Sequence, residues 1–190
     1  DNPDVRKLAK AFASDVTALG NIKNLADAGA DIMNSIVGQW NTPEQGKRAL
    51  ATLAAALDRK PLPYIHPAPN ADFEKIFGPL YTSKAMVKDI LDNCASESNY
   101  SNQGTGTSTC AASVIERQLR RDHVDRYVDL AVKLLTTGKA ELQNGTALKS
   151  EPVDFTVEEG RSVVSDAVQE AVIRASESLD QTEARRFSGF

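Results

Sequence analysis

Histidine is the side chain that most often serves as acid, base or metal ligand near neutral pH, and this chain has two, His66 and His123. His66 stands among prolines and aromatic residues, and His123 follows Asp122 in a strongly charged stretch. Neighbouring residues on a helix point about 100° apart, so Asp122 does not face His123. Because neither histidine belongs to a pattern such as H-E-x-x-H, we expect His66 to pack as an aromatic ring and His123 to be solvated.

Other patterns that mark enzymes are missing from the sequence. It has no G-x-S-x-G, no P-loop and no C-x-x-C, which are motifs that place a nucleophile, a phosphate or a metal. The segment Gly104-Thr105-Gly106 lacks the third glycine and the preceding strand of a dinucleotide site. No repeated Glu-x-x-His marks a di-iron bundle. The sequence therefore predicts a protein without catalytic residues, metal or cofactor.

The two cysteines, Cys94 and Cys110, bracket a polar loop, residues 95–108, that has no apolar aliphatic side chain larger than alanine. A disulfide between the ends of this loop would limit its freedom by roughly 3 kcal/mol and would indicate an oxidising compartment. We predict this disulfide from the even cysteine count and from the position of both residues at the margins of the loop. The alternative is a pair of free, buried thiols at helix ends.

Two N-glycosylation acceptor patterns begin at Asn99 and Asn144. Each lies in a segment that we predict to be an exposed loop, where a glycan is tolerated. Both asparagines are therefore candidate glycosylation sites if the protein is exported.

Three arginines, Arg117, Arg120 and Arg121, recur at helical spacing. Guanidinium groups on one side of a helix could bind phosphate or carboxylate in a bidentate manner. We predict this stripe as the candidate contact for a nucleic acid or another anion, followed by Arg185 and Arg186 near the end of the chain. The alternative is a set of helical ion pairs with Glu116, Asp122, Asp125 and Asp129.

Residues 60–81, which we call the strap, hold five of the chain's eight prolines. Repeated proline excludes a regular helix and favours extended structure. We predict that the strap lays aromatic rings across the helices, where they could line a groove for an apolar ligand or a protein partner. They could equally form a lid over the protein's own core. The candidate residues are Trp40, Tyr64, His66, Phe73, Phe77 and Tyr81.

The chain has 190 residues, of which 41% are apolar, 25% charged and 6% aromatic, and its formal net charge is −4. This length fits one domain, residues 1–190, with a sizeable core. The low aromatic content favours packed helices over sheets, and the acidic total is unlike an independent nucleic-acid-binding domain. No stretch reaches the ~20 apolar residues of a membrane span, and the opening Asp1-Asn2-Pro3-Asp4 is neither a signal nor a transit peptide.

Apolar residues recur at steps of three and four along five stretches of the chain, which is the spacing of helices that pack on a core. Capping boxes open two of them, at Thr42-Pro43-Glu44-Gln45 and Thr156-Val157-Glu158-Glu159, and Gly138 is a natural C-terminal stop. The first stretch is one helix or two, with a break near Gly20. The predicted helices are residues 4–37, 43–58, 83–94, 109–137 and 157–184.

The fourth of these helices has a predicted core face, which includes Ala112, Ile115, Leu119 and Val124. The stretch that follows it, residues 139–155, forms either a hairpin that turns at Asn144-Gly145 or a loop. The sequence thus predicts an all-α fold: an antiparallel bundle of four to five helices with a Pro/aromatic-rich strap and one disulfide-bracketed polar loop.

Two functions fit this architecture. The first is a non-enzymatic, secreted or surface-exposed binding module, located extracellularly, at the cell surface or in the periplasm, with a protein or a small apolar ligand as partner. It is expected to be monomeric or a small oligomer, with the two cysteines oxidised.

The second is a structural subunit of a helical or filamentous assembly, in a virion or in the cytoplasm, that contacts nucleic acid through the arginine stripe. The order of helix, helix, strap, helix, polar loop and long helix resembles that of rod-shaped plant virus coat proteins in pattern and length. Such a subunit is expected to self-associate and to keep its thiols free.

Overall fold

The computed structural model of the chain describes residues 2–12, 42–62, 81–95, 110–150 and 162–187; the side chains of 95, 110 and 179–187 lie outside that description. Six helices and one two-stranded antiparallel sheet account for most of these residues, which confirms the mostly helical fold. The elements in chain order are α1 (Pro3–Phe12), α2 (Pro43–Ala56), α3 (Ser83–Ala95), α4 (Cys110–Asp122), α5 (Val124–Thr137), β1 (Lys139–Glu141), β2 (Ala147–Lys149) and α6 (Val163–Phe187).

Helix α5 lies at the centre of the described fold, because it packs against α2, α3, α4, α6 and β1. Its apolar side chains are buried around most of the helix, as expected for a helix that is enclosed by others. The core faces that the sequence predicts for α2 and α3 are confirmed. They consist of Ala49, Leu50, Leu53 and Ala54 on α2, and of Met86, Val87, Ile90 and Leu91 on α3.

Helix α2 begins with the predicted capping box. The Thr42 hydroxyl accepts a hydrogen bond from the Gln45 backbone N–H at 3.3 Å, and the Gln45 side-chain oxygen accepts one from the Thr42 N–H at 2.7 Å. These two bonds satisfy backbone donors that a helix start leaves without partners. The side-chain nitrogen of Gln45 also donates to the carbonyl of Asp122 at 3.0 Å, so the start of α2 is joined to the end of α4.

The prediction of one continuous helix over residues 109–137 is wrong, because this stretch forms two helices that are separated by His123. The backbone of His123, with φ −146° and ψ 59°, is outside the helical region. In a continuous helix the Asp122 carbonyl would accept the N–H of Arg126, but that N–H bonds to the His123 carbonyl at 3.1 Å. Gln45 supplies the donor that the Asp122 carbonyl then needs, so the break costs no hydrogen bond at this carbonyl.

The sequence from α5 to β2 forms a hairpin, which decides between the two predicted alternatives. Gly138 ends α5 in the left-handed region, at φ 71°. The turn is closed by a hydrogen bond from the Gly145 N–H to the Leu142 carbonyl at 2.9 Å, and Gly145 has φ 81°. A left-handed glycine after such a turn is typical of three-residue hairpin loops. Leu148 on β2 is buried in the core as predicted, and Leu142 is half-buried.

Helix α6 begins later than predicted. Its first residue is Val163, and Ser162 precedes the helix and caps it by accepting the Ser165 N–H at 3.1 Å. The capping box predicted at Thr156 and the helix start predicted at 157 lie outside the described part of the chain. Val164, Ala167, Val168 and Ala171 on this helix are buried, as the sequence predicts.

Several predicted features fall outside the described residues. They are the first helical segment beyond Phe12, the strap between 63 and 80, and the polar loop from 96 to 109. Among the helices that the structure describes, none combines the length and apolar character needed to cross a membrane.

We expect Gly138→Ala to destabilise the protein more than Gly145→Ala does. Both glycines have positive φ, which costs a residue with a side chain about 1 kcal/mol. A Cβ on Gly138 would also lie 2.9 Å from the backbone oxygen of Ser150, whereas a Cβ on Gly145 would meet only the Glu141 side chain, at 3.9 Å. Urea unfolding should therefore show a loss of about 1 kcal/mol for Gly145→Ala and at least about twice that for Gly138→Ala. Equal losses would contradict the close approach at Ser150.

Candidate interaction site

Helix α4 buries several polar side chains and exposes two of its large apolar ones. Ser113, Glu116 and Arg120 are buried, with Glu116 at 0% exposure, whereas Ile115 is 48% exposed. Of the core face predicted here, Ala112 and Val124 are buried and Leu119 packs against the core, as expected, whereas the prediction that Ile115 faces the core is wrong. The break at His123 separates the faces of α4 from those of α5, so the apolar stripe of α5 does not continue into α4.

The Glu116 carboxylate lies between α4, α5 and α6 and accepts hydrogen bonds from three side chains. Its Oε1 atom accepts the Ser165 hydroxyl at 2.8 Å and the Tyr127 hydroxyl at 3.1 Å, and its Oε2 atom accepts the Gln169 amide at 2.7 Å. A buried charge is tolerated only where such donors replace its hydration. Burial and the nearby Glu116 charge raise the pKa of the Tyr127 hydroxyl well above its usual range, so this donor keeps its proton.

Asn93 connects α3 to the same group of residues. Its side-chain nitrogen donates to the Ser162 hydroxyl at 2.6 Å, and its backbone carbonyl accepts a hydrogen bond from the Arg120 guanidinium. Arg120 is only 7% exposed. The three arginines that the sequence predicts as one surface stripe therefore do not share a surface, because Arg120 points inward. Arg117 and Arg121 are exposed, and the guanidinium of Arg121 forms an ion pair with Asp122 at 2.8 Å.

Asp89 links α3 to Tyr81 and to the start of α6. Its Oδ2 atom accepts the Tyr81 hydroxyl at 3.1 Å and the backbone N–H of Val164 at 3.0 Å. Burial raises the pKa of the Asp89 carboxyl from 3.8 to about 7, although these two hydrogen bonds oppose the shift. Tyr81, predicted either to line a groove or to cover the protein's own core, is buried and serves this internal contact, in line with the second alternative.

We use the name buried polar cluster for the residues that these bonds connect. Glu116, Ser165, Gln169 and Asn93 are all at 0% exposure, so none can reach a substrate in solvent. The cluster therefore positions helices rather than presenting reactive groups. Its members are Asp89, Asn93, Glu116, Arg120, Tyr127, Ser162, Ser165 and Gln169.

Cys94 is a free cysteine, so the predicted disulfide with Cys110 is not formed in this structure. The Cys94 thiol lies near Arg120 and Glu116, both of which act on it electrostatically. These residues are ten and six positions after Cys110 on α4, or about 15 Å and about 9 Å along the helix. A disulfide needs Cα atoms about 4.4–6.8 Å apart, so a position of Cys94 beside these later turns of α4 is in line with its free thiol, and the predicted disulfide is not confirmed.

The outer face of α4 is the most exposed apolar surface among the described residues. Val114 and Ile115 are 58% and 48% exposed, and they are the large apolar side chains that stand out to solvent there. Arg117 and Arg121 lie on the same exposed half of the helix. We call Val114, Ile115, Arg117 and Arg121 the α4 face.

A groove of about 770 Å³ lies over α5, between α2 and the hairpin. We call it the hairpin groove. Its apolar lining consists of Leu119, Leu130, Ala140 and Leu142, and its charged rim consists of Arg48, Asp125, Arg126, Asp129, Lys133 and Glu141.

The cations of the hairpin groove are engaged within it. Arg48 pairs with Asp125 at 2.8 Å, Lys133 pairs with Asp129 at 2.7 Å, and Arg126 donates to the Gln143 side chain at 2.6 Å. Among the described residues no ion pair involves Glu141, which leaves an acidic group at the rim.

The remaining predicted site residues are placed as follows. Asn144 is exposed at the hairpin turn, where its side-chain oxygen accepts the Thr146 N–H at 3.1 Å, and His123 is exposed at the α4–α5 break. Arg185 and Arg186 belong to the last turns of α6, and their side chains are not among those described. The predicted residues that lie outside the described part of the chain are Trp40, Tyr64, His66, Phe73, Phe77 and Asn99.

Neither a protein-family model, nor a curated protein, nor a solved structure matches this chain. The described residues contain no group of three or more histidine, cysteine and acidic side chains arranged to hold a metal ion. The geometry of the buried polar cluster, the α4 face and the hairpin groove is therefore the basis for any functional conclusion.

Sequence reasoning missed the buried polar cluster, although two signals pointed to it. Glu116 and Arg120 are four residues apart, as are Asp89 and Asn93, so each pair shares one side of its helix. The predicted core stripe also required a step of five residues from Leu119 to Val124, which a regular helix does not provide.

We expect intact-mass analysis after alkylation without reduction to find free thiols. In denaturant both cysteines should take an adduct, and in the native protein Cys94 should react far more slowly, because burial raises the pKa of its thiol to about 12 and the thiolate is the reactive form. A mass two hydrogens short with no adduct would show that the disulfide forms after all.

Asp89 should make the protein more stable at mildly acidic pH than at neutral pH. Its pKa is raised on folding, so the folded state keeps a proton that the unfolded chain releases between about pH 4 and about pH 7. Its contribution to the free energy of unfolding therefore falls as the pH rises through that window, by at most about 1.4 kcal/mol per pH unit.

Urea titrations of the wild type and of Asp89→Asn at several pH values isolate this effect. The asparagine variant should gain stability relative to the wild type as the pH rises, because its amide needs no charge. Asp129→Asn, at a half-exposed aspartate, is the matched control. Parallel stability curves for the wild type and Asp89→Asn would show that Asp89 does not titrate in this way.

Proposed function

We propose that this chain is a non-enzymatic helical subunit that associates with further copies of itself, and that the α4 face is the contact surface. The observation that carries the proposal is the exposure of Val114 and Ile115 on a helix whose opposite side buries Glu116 and Arg120. A contiguous exposed apolar patch marks a surface that another protein can cover.

Charge supports a second copy as the partner. The chain has a formal net charge of −4, whereas the α4 face carries two arginines, Arg117 and Arg121, of which Arg121 is paired with Asp122. A basic face on an acidic molecule is attracted to the surface of another copy of that molecule. Self-association would then be steered by this face and stabilised by burial of the apolar side chains.

The two functions expected from the sequence gain different support. The main support for the hypothesis of a secreted binding module was the predicted Cys94–Cys110 disulfide, and the free thiol of Cys94 removes that support. The assembly subunit was expected to keep its thiols free. Because Arg120 is buried, however, we propose a protein contact rather than a nucleic-acid contact for this helix.

Sedimentation velocity over a range from micromolar to millimolar protein tests the proposal. The wild type should show a weight-average sedimentation coefficient that rises with concentration. We expect the double variant Val114→Ser/Ile115→Ser to weaken association roughly thirtyfold, because each residue loses about 1 kcal/mol of apolar burial. Serine has a helix propensity close to that of valine and isoleucine, so α4 should remain folded.

The matched control is Ala51→Ser/Ala55→Ser, which places two serines at exposed positions of α2. This variant should associate like the wild type. The proposal fails if the wild type stays monomeric throughout the range, or if the α4 double variant associates as strongly as the control does.

A further inference from the structure

We propose that Asp89 is a pH-sensitive latch, which holds Tyr81 and the first turn of α6 against α3 while its carboxyl is protonated and lets them open locally once it is ionised. One carboxyl oxygen makes both contacts: Asp89 Oδ2 accepts the Tyr81 hydroxyl at 3.1 Å and the Val164 backbone N–H at 3.0 Å. We call these three residues the Asp89 latch. It joins the residue at which the strap ends, the middle of α3 and the start of α6, and it operates within one chain, independently of self-association.

The surroundings of Asp89 favour a neutral carboxyl. Its residue is 8% exposed, and among the described residues no ion pair involves it. Lys88, the adjacent lysine on α3, forms its ion pair with Asp92 instead. A buried carboxyl without a paired cation holds its proton more tightly, and the pKa of Asp89 rises from 3.8 to about 7.

The charged groups around Asp89 do not offset its burial. Lys88 lowers its pKa and Asp92 raises it, and both effects are smaller than that of burial. The sides that α2 and α5 bury consist of apolar residues and one tyrosine. Helix α6 carries the acidic Asp166 in its first turn, and Arg120 of α4 bonds to a backbone carbonyl of α3 one turn beyond Asp89.

The start of α6 is the part that opens, because side chains of α3 hold it from one side. Asn93, one turn after Asp89, donates to the Ser162 hydroxyl at 2.6 Å, and that hydroxyl caps α6 by accepting the Ser165 N–H at 3.1 Å. Helix ends open at a lower free energy than packed helix centres, and Val164 is only the second residue of α6. A local opening there gives the Asp89 carboxyl access to water.

The proton linkage gives the direction of the effect. In the closed latch the carboxyl has a pKa of about 7, and once hydrated it returns toward 3.8. Opening therefore releases a proton between about pH 4 and about pH 7, so the opening equilibrium rises with pH by up to about tenfold per pH unit in that window and levels off above it. The closed latch is most stable below the window.

Amide hydrogen exchange followed by NMR between about pH 5 and about pH 8 tests the latch. After correction for the intrinsic exchange rate, the protection of the Val164 and Ser165 amides should fall by up to about tenfold per pH unit and level off above about pH 7. In Asp89→Asn it should not change with pH, because the amide oxygen still accepts a hydrogen bond and no proton is released. Asp129→Asn, at a half-exposed aspartate, is the matched control and should keep the wild-type profile.

The amides of Ala131 and Val132, in the buried centre of α5, separate local from global opening. They should be better protected than those of Val164 and Ser165 at every pH. Equal protection at the two sites would overturn the latch, because Asp89 would then reach water only when the whole protein unfolds. Protection at the start of α6 that is constant with pH in the wild type would overturn it as well. Both outcomes are read from the wild type, so the test does not depend on how well Asp89→Asn folds.

Discussion

The buried carboxylate of Glu116 is the constraint on which the arrangement of helices α3 to α6 depends. A carboxylate removed from water must find donors in the protein or lose its charge. Tyr127 on α5 and two residues of α6 supply those donors, and Arg120 follows one turn later on the same helix. Because the donors come from separate elements, α5 and α6 can approach α4 in few orientations that satisfy all of them.

This constraint also explains why α4 exposes apolar side chains. Residues of a helix advance by about 100° each, so with Glu116 directed inward, Ile115 lies at the margin and Val114 on the far side. Turning α4 to bury them would gain about 2 kcal/mol of apolar burial. Removing a buried charge from its partners costs about 3–5 kcal/mol, so the inward orientation of Glu116 prevails.

Local features of the fold are readable from the sequence, whereas the buried polar cluster is not. The capping box at Thr42 and the glycine stop at Gly138 each depend on a few consecutive residues, and both are confirmed. The hairpin at Asn144-Gly145, one of two alternatives for its stretch, is the one that forms. The partners of Glu116 on α6 lie 49 and 53 residues away in sequence, and no periodicity encodes that distance. Pattern reasoning therefore placed Ala112 and Leu119 correctly on the core side of α4 but added Ile115 to it and missed Glu116 and Arg120.

The break at His123 allows the apolar residues of α5 to be buried while Glu116 on α4 is directed toward its hydrogen-bond donors. An unbroken helix would carry the apolar stripe of α5 into α4 and fix the faces of both helices together. With the break, α5 keeps its apolar residues in the core while α4 takes its orientation from Glu116, and Gln45 satisfies the carbonyl that the break exposes. The rotation of α4 about its own axis therefore determines both which polar side chains are buried and which apolar side chains form the α4 face. If the α4 face is an association surface, its exposure follows from the polar interior of the protein. Burial of this face against a second copy then recovers the free energy of apolar burial that the isolated chain does not gain.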